Sequence, residues 1–255
     1  MIDLHCHLLP GIDDGPPTIE GSLALARAAS AAGTRTIVAT PHVNSRYPND
    51  RATIARLVQE LGVRFAAEGV AIDVLPGAEI ALTSAAEMAS AQLAELGLGG
   101  SSWLLIEPPF TPAASGIDSM VVDILGQGHR VVLAHPERCP AFQRDPGVLE
   151  SLIRAGVITS ITAGSLTGRF GKEVRRFTLQ LVRDGLVHNV ASDAHEHLNR
   201  GPGIAEELAR AGLEPLAEWL TCEVPAAILA DGEIPPAPSG LAAAVPRRRW
   251  PWQRA

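Results

Sequence analysis

Cysteine is scarce in this chain. Cys6, Cys139 and Cys222 stand far apart in 255 residues and no CxxC pair occurs, so a disulfide framework is not expected. Aromatic residues make up only 4%, too few for the base-stacking platforms of single-strand binders. No apolar run approaches the roughly 18 residues that a membrane span needs. The opening MIDLHCHLLPGIDDGP lacks the basic-then-apolar order of a secretory signal, so the cytoplasm is the expected compartment. Lysine is almost missing: of 21 basic residues only Lys172 is one. Positive charge is short as well. Arg247, Arg248, Arg249 and Arg254 hold four of the cations, which leaves residues 1–245 with 17 cations against 28 anions, a net −11. A body that acidic binds phosphate backbones poorly, although divalent cations would offset part of the charge.

What is present is the material of a buried α/β core, with 46% hydrophobic residues in a length that one barrel-sized domain fills. Short β-branched or apolar runs predict strands at 2–5, 35–39, 72–76, 103–106, 130–134, 157–161 and 188–191. Helical periodicity predicts helices at 19–32, 50–67, 84–93, 117–127, 146–155 and 171–184, then short ones near 203–211, 215–221 and 224–230. Gly33, Gly156 and Gly185 mark helix stops, and Asp145-Pro146 marks a start. Seven strands alternating with helices predict a parallel sheet, closed or nearly closed into a barrel at this length. The domain is expected over residues 1–232. Residues 233–255, rich in Pro and Arg, read as a disordered tail, whose Arg247–Arg249 beside Trp250 and Trp252 suit weak adhesion to an anionic surface.

The chemistry gathers at the strand ends. The first expected strand runs into His5 and His7, then Asp14, which follows Asp13 in an Asp-Asp-Gly run; the second runs into His42; the third ends at Glu79 and the fourth at Glu107. The fifth ends at His135, and the seventh leads to Asp193 and His195. A lone His-X-His is a weak signal. Nine candidate ligands delivered to the C-terminal face of one parallel barrel are not, because that many charged groups repel unless cations lie among them. Four ligands close a zinc site and about six fill an octahedron, so nine side chains with bridging carboxylates suit two or three ions. Imidazole and carboxylate without thiolate favour Mn, Fe or Zn. Cys6 lies between two ligands but should point to the opposite side of its strand. His129 and His188, at strand starts, read as structural.

The segments MIDLHCHLLPGIDDGP, TPH around His42, GAE at Glu79, LLIEPPF around Glu107, AHPER at 134–138, ITAGSLTGRFG at 162–171 and LVHNVASDAH at 186–195 together resemble the PHP (polymerase and histidinol phosphatase) superfamily. Within it the chain is similar to the manganese-dependent protein-tyrosine phosphatases of bacterial capsule and exopolysaccharide operons. The resemblance spans residues 1 to about 230. It implies a distorted seven-stranded TIM-like barrel, with one ion on His5, His7, Glu79 and Asp193, a second on Glu79, Glu107 and His135, and a third on Asp14, His42 and His195. It further implies that Arg138 and Arg200 hold the phosphate, with His42 counted beside them as catalytic. The substrate would be the phosphotyrosine-bearing tail of a bacterial membrane tyrosine kinase. Two departures stand out: Cys139 replaces the family's common aromatic after HPER, and the 43–50 loop is variable.

The alternatives separate chemically. A cysteine phosphatase needs Arg six residues after its nucleophile, and Ile12, Asp145 and Ile228 occupy those places. The His-X-His amidohydrolases often bridge their metals with a carboxylated lysine, and Lys172 lies away from any strand end. A histidinol-phosphate type phosphatase shares the metals, an exonuclease conflicts with the acidic body, and a kinase-binding module with weak activity would not need the full ligand set.

Overall fold

The computed structural model describes residues 1–111 and 116–238. Strand β1 (Ile2–Cys6) is followed by α1 (Ile19–Ala31), β2 (Thr36–Ala39), β3 (His42–Val43), α2 (Arg51–Ala67), β4 (Asp73–Pro76), β5 (Glu79–Ala81), α3 (Leu82–Glu87) and α4 (Ser90–Ala94). Next come β6 (Trp103–Glu107), α5 (Ile117–Gly126), β7 (Arg130–Ala134), α6 (Pro140–Arg144), α7 (Pro146–Arg154), β8 (Ile158–Thr162), α8 (Ala163–Thr167), α9 (Lys172–Arg183), β9 (Asn189–Ala191), α10 (Ile204–Ala211) and α11 (Val224–Leu229). All ladders are parallel, in a three-stranded sheet ordered β1-β2-β4 and a six-stranded sheet ordered β3-β5-β6-β7-β8-β9.

The seven expected strands are present, and two short ones that were not expected, β3 and β5, follow the second and third after a break near the site. Pro41 separates β2 from β3, and it has no N–H to give a ladder. The breaks still carry bonds across: Thr40 N donates to Cys6 O at 3.0 Å and Glu79 N donates to Pro41 O at 3.1 Å. Between β4 and β5, a Cβ on Gly77 would stand 2.7 Å from Val38 Cγ1, so only glycine allows the close crossing. The chain after β9 lies along β1, with His7 N donating to Ala194 O at 2.9 Å and Asp193 N to His5 O at 2.8 Å.

Strands buried on both faces read as unbroken apolar runs: Leu104–Ile106 and Val131–Ala134 are all fully buried. The helices begin where side chains accept their free N–H groups, with Thr18 on Gly21 N, Asp50 on Thr53 N and Asp145 on Gly147 N. The helix expected at 84–93 is split, since Met88 and Ala89 are extended. The second piece sets Ser90 Oγ 2.9 Å from His129 Nε2. At the chain's described end, Ile234 rests on the core and Trp219 Nε1 donates to Pro235 O at 3.1 Å. Arg247–Arg249, Trp250 and Trp252 lie outside the described residues.

His188 lies at the start of the β9 stave, far along the strand from the ligand residues, and accepts from Thr159 N at 3.3 Å. Burial pushes its pKa down to about 4 from 6.5. The unfolded chain therefore takes up this proton first, and stability is lost as pH falls from 6.5 toward 4, by about 3 kcal/mol for a shift of this size. In metal-free protein, His188→Gln is expected to flatten the fall in urea-unfolding free energy between pH 6.5 and 4.5; parallel curves would remove His188 as the cause.

Candidate metal centre

Parallel strands deliver their C-terminal ends to one side, and the nine expected ligands meet there. The register makes the first contacts: β3 pairs with β5 so that His42 stands opposite Glu79. Glu79, 1% exposed, is the hub. Its Oε1 lies 2.8 Å from His135 Nε2 and 3.3 Å from His5 Nε2, and its Oε2 lies 3.0 Å from His42 Nδ1 and 3.3 Å from His7 Nε2. Four compact groups result, each with ligand atoms within 4.8 Å: His7, Asp14, His42 and His195; His5, His7 and Asp193; His5, Glu79 and His135; and His42, Glu79 and Glu107. All nine expected ligands fall in at least one group.

Several atoms have no satisfactory partner among the described residues. Glu79 Oε2 and His42 Nδ1 are buried without an aligned hydrogen bond, and His5 Nε2 faces His7 Nε2 at 3.3 Å. Buried polar atoms left this way are costly unless something else satisfies them. Oxygen and imidazole lone pairs converging on shared space fit divalent cations.

The electrostatics show how crowded the cluster is. Burial would raise Glu79, yet the imidazoles of His5, His135 and His42 hold it well below the usual carboxylate range. Burial, with the Glu79 charge adding to it, pushes Glu107 up to about 7. Burial opposes charge on His7, but Asp13 and Glu79 raise it to about 10. Burial, then Arg138, lower His135 to about 4. A neutral His135 leaves a lone pair for a cation.

Asp193 joins the cluster to two arginines. Its Oδ1 is 3.6 Å from both His5 Nε2 and His7 Nε2, while its Oδ2 accepts from Arg138 Nη1 at 2.6 Å and Arg200 Nη2 at 3.0 Å. Arg200 Nε is buried and, among the described residues, has no acceptor. Asp193 and His135 both take positive φ, 49° and 32°, a conformation that non-glycine residues hold at a cost and that clusters at functional sites.

Residues around the ligands went unassigned in the sequence. Asp13 is the chief one: its side chain is buried, its Oδ2 is 2.8 Å from His7 Nδ1 and accepts from His42 N, and its Oδ1 accepts from Gly15 N. It orients one ligand ring and the backbone of another. The DDG spelling was its signal, and a Cβ on Gly15 would sit 2.5 Å from His7 O. Asp3 accepts from Ser192 N and Glu137 from Thr162 N and Ser165 Oγ, so both brace ligand-bearing turns. Phe110 stacks on His135 with ring centres 5.4 Å apart, Tyr47 stacks on His42 at 5.8 Å, and Arg138 lies over Phe110 and Phe170 at 5.0 and 4.4 Å. Cys139, at the position of the family's aromatic, is buried with Sγ 3.5 Å from Pro109 O. Cys6 points away, toward Ala194 O. His197 is exposed, outside the cluster.

A family model described as capsular polysaccharide synthesis, CpsB/CapC, matches residues 1–229. The chain belongs to the CpsB/CapC family. Among similar proteins, the tyrosine-protein phosphatase YwqE of Bacillus subtilis is 40% identical over 196 residues, covering 76% of this chain and 77% of YwqE. The tyrosine-protein phosphatase CpsB of Streptococcus pneumoniae is 33% identical over 213 residues, covering 79% and 86%. A crystal structure from the pair YwqE of Bacillus subtilis and CpsB of Streptococcus pneumoniae, described as unique metal-dependent tyrosine phosphatases, superposes with a TM-score of 0.82 at 34% identity, covering 93% of this chain and 99% of that one. A dihydropyrimidinase from Brevibacillus agri shares only the fold, at 13% identity and a TM-score of 0.51 over 89% of this chain and 69% of its own. Among the described residues of this CpsB/CapC member, no helix is long and apolar enough to cross a membrane.

Proposed function

We propose that this chain is a metal-dependent protein-tyrosine phosphatase, built as a distorted seven-stranded barrel of the PHP type with its active site at the C-terminal strand ends. The carrying observation is Asp193, which turns one oxygen to the histidine cluster and the other to Arg138 and Arg200. A cation site and an anion site share that carboxylate, as a phosphoryl-transfer site requires. The bonds from His7 N to Ala194 O and from Asp193 N to His5 O support closure of the barrel.

For the ligands, the reading is three manganese ions: one on His5, His7, Glu79 and Asp193, one on Glu79, Glu107 and His135, and one on Asp14, His42 and His195. Two sets find support as groups, His5 with His7 and Asp193, and Asp14 with His42 and His195, which His7 stands close enough to join; Glu79 groups with His135 and, separately, with Glu107, and His135 Nε2 lies 3.7 Å from Glu107 Oε1. Bound cations supply charge neutralisation and an acidified water at neutral pH. The protein's share is orientation. Asp13 fixes the His7 ring, while the guanidiniums of Arg138 and Arg200 offer planar forks to phosphate oxygens. Phenolate, with a pKa of about 10, leaves readily. His42 is counted with the two arginines as catalytic; it is partly exposed at the mouth of the cluster.

Phe110, 43% exposed beside His135, is placed to grip the tyrosine ring. Phe110→Ala is expected to raise KM for a phosphotyrosine peptide about fivefold to tenfold, the worth of one aromatic pair with its buried area, while turnover of a small alkyl phosphate stays unchanged. Equal effects on both substrates would contradict a ring contact.

The physiological substrate we propose is the phosphotyrosine tail of a membrane tyrosine kinase in capsule or exopolysaccharide synthesis, met on the cytoplasmic side, where three unpaired cysteines are at home. We assign the catalytic body to residues 1–232. A phosphotyrosine peptide, histidinol phosphate and single-stranded DNA assayed side by side test the assignment: the peptide is expected to be hydrolysed fastest, and preference for either of the others would overturn it.

A further inference from the structure

Outside the metal cluster, Thr167, Gly168, Gly171, Lys172, Arg175 and Arg210 line a cavity of about 360 Å³. In a body of net −11 this is a local surplus of cations. Glu207 answers Arg169 at 3.1 Å and Arg210 at 3.3 Å, but among the described residues no carboxylate lies within 4 Å of Lys172 or Arg175. Arg175 Nε is held by Leu166 O at 3.1 Å, which fixes its direction without neutralising it. The cavity also receives the start of the twelve-residue α9, which no side chain caps among the described residues. Free N–H groups at a helix start together with cationic side chains form a receptor for an anion.

Its position relates it to the catalytic site. Helix α9 packs on the 136–138 turn that carries Arg138, and Phe170, two residues before Lys172, lies 4.4 Å from the Arg138 guanidinium. Two residues span at most about 7 Å. An extended peptide advances about 3.3 Å per residue, so a residue a few positions from a phosphotyrosine held by Arg138 has the span to reach this side of α9.

We propose that this cavity binds an acidic or phosphorylated side chain of the peptide substrate, a few residues away from the phosphotyrosine being hydrolysed. The inference rests on the phosphatase reading for its substrate, while the cavity's affinity for an anion is independent of turnover. A polynucleotide is disfavoured by the repulsion of the acidic body.

The test uses full-length, manganese-loaded protein and two phosphotyrosine peptides of one sequence, one with neutral flanks and one with a second phosphotyrosine three residues along. Wild type is expected to prefer the second by fivefold or more in kcat/KM. Lys172→Glu should erase the preference, Lys172→Arg should keep it, and hydrolysis of the neutral peptide and of phenyl phosphate should stay within twofold. As a separate arm, fluorescence anisotropy of the doubly phosphorylated peptide on metal-free protein should weaken with Lys172→Glu and not with Arg56→Glu, a control on α2. No preference in wild type, or equal losses with the two charge reversals, overturns the proposal. Absence of phosphotyrosine hydrolysis by wild type would instead sink the phosphatase reading, and the anisotropy arm would still decide the cavity.

Discussion

Glu79→Gln is expected to cut phosphotyrosine hydrolysis by a thousandfold or more and to lower the metal content by at least one ion per chain. The carboxylate stands within 3.3 Å of nitrogens from four histidines, His5, His7, His42 and His135, and it belongs to two of the four ligand groups. Gln keeps the shape but offers one acceptor instead of two, and its amide N–H₂ would turn a donor toward a cation. Loss of an outer-shell partner alone costs about 10–100-fold in affinity or activity, so loss of the hub should exceed it. Elemental analysis after gel filtration, beside circular dichroism to show that the fold survives, separates a missing ligand from a collapsed protein. Full metal content with normal turnover would mean that Glu79 is not a ligand.

Arg138→Ala is expected to lower kcat/KM on the order of 10²–10³, the cost of removing one preorganised group aimed at developing charge. The guanidinium is held by Asp193 Oδ2 at 2.6 Å and lies over two aromatic rings, so it is aimed before substrate arrives. Arg138→Lys should recover only part of the loss, because an ammonium lacks the planar fork. Metal content should not change. That distinguishes this variant from Glu79→Gln, and a variant that lost metal and activity together would recast Arg138 as a support of Asp193. Arg200, 32% exposed, should show the same sign with a smaller effect.

The cluster was legible in the sequence because its residue types are conspicuous and the parallel strands that carry them all end on one side. His42 and Glu79 illustrate the limit. Both were placed at strand ends, but the two- and three-residue strands that pair them, β3 and β5, have no periodicity to read and exist only through their neighbours. The break at Met88–Ala89 carries no glycine or proline and was invisible for the same reason. Helix α8 was missed because Ala163–Thr167 follows directly on the β-branched β8, and tertiary contacts decide where the strand stops. Asp13 was seen and passed over: spacing cannot tell a ligand from the carboxylate that steers it, and only the 2.8 Å contact with His7 Nδ1 does. The aromatics Phe110, Phe170 and Tyr47 come from three separate loops, so no local motif could announce that they meet at the site.

The most direct test strips the protein with a chelator, confirms that it is folded and metal-free, and then titrates Mn²⁺ while following phosphotyrosine-peptide hydrolysis. Turnover should vanish on stripping and return as ions bind, up to three per chain. Undiminished hydrolysis by metal-free protein, or none with any divalent metal on a folded chain, would contradict a metal-dependent phosphatase built on these nine ligands.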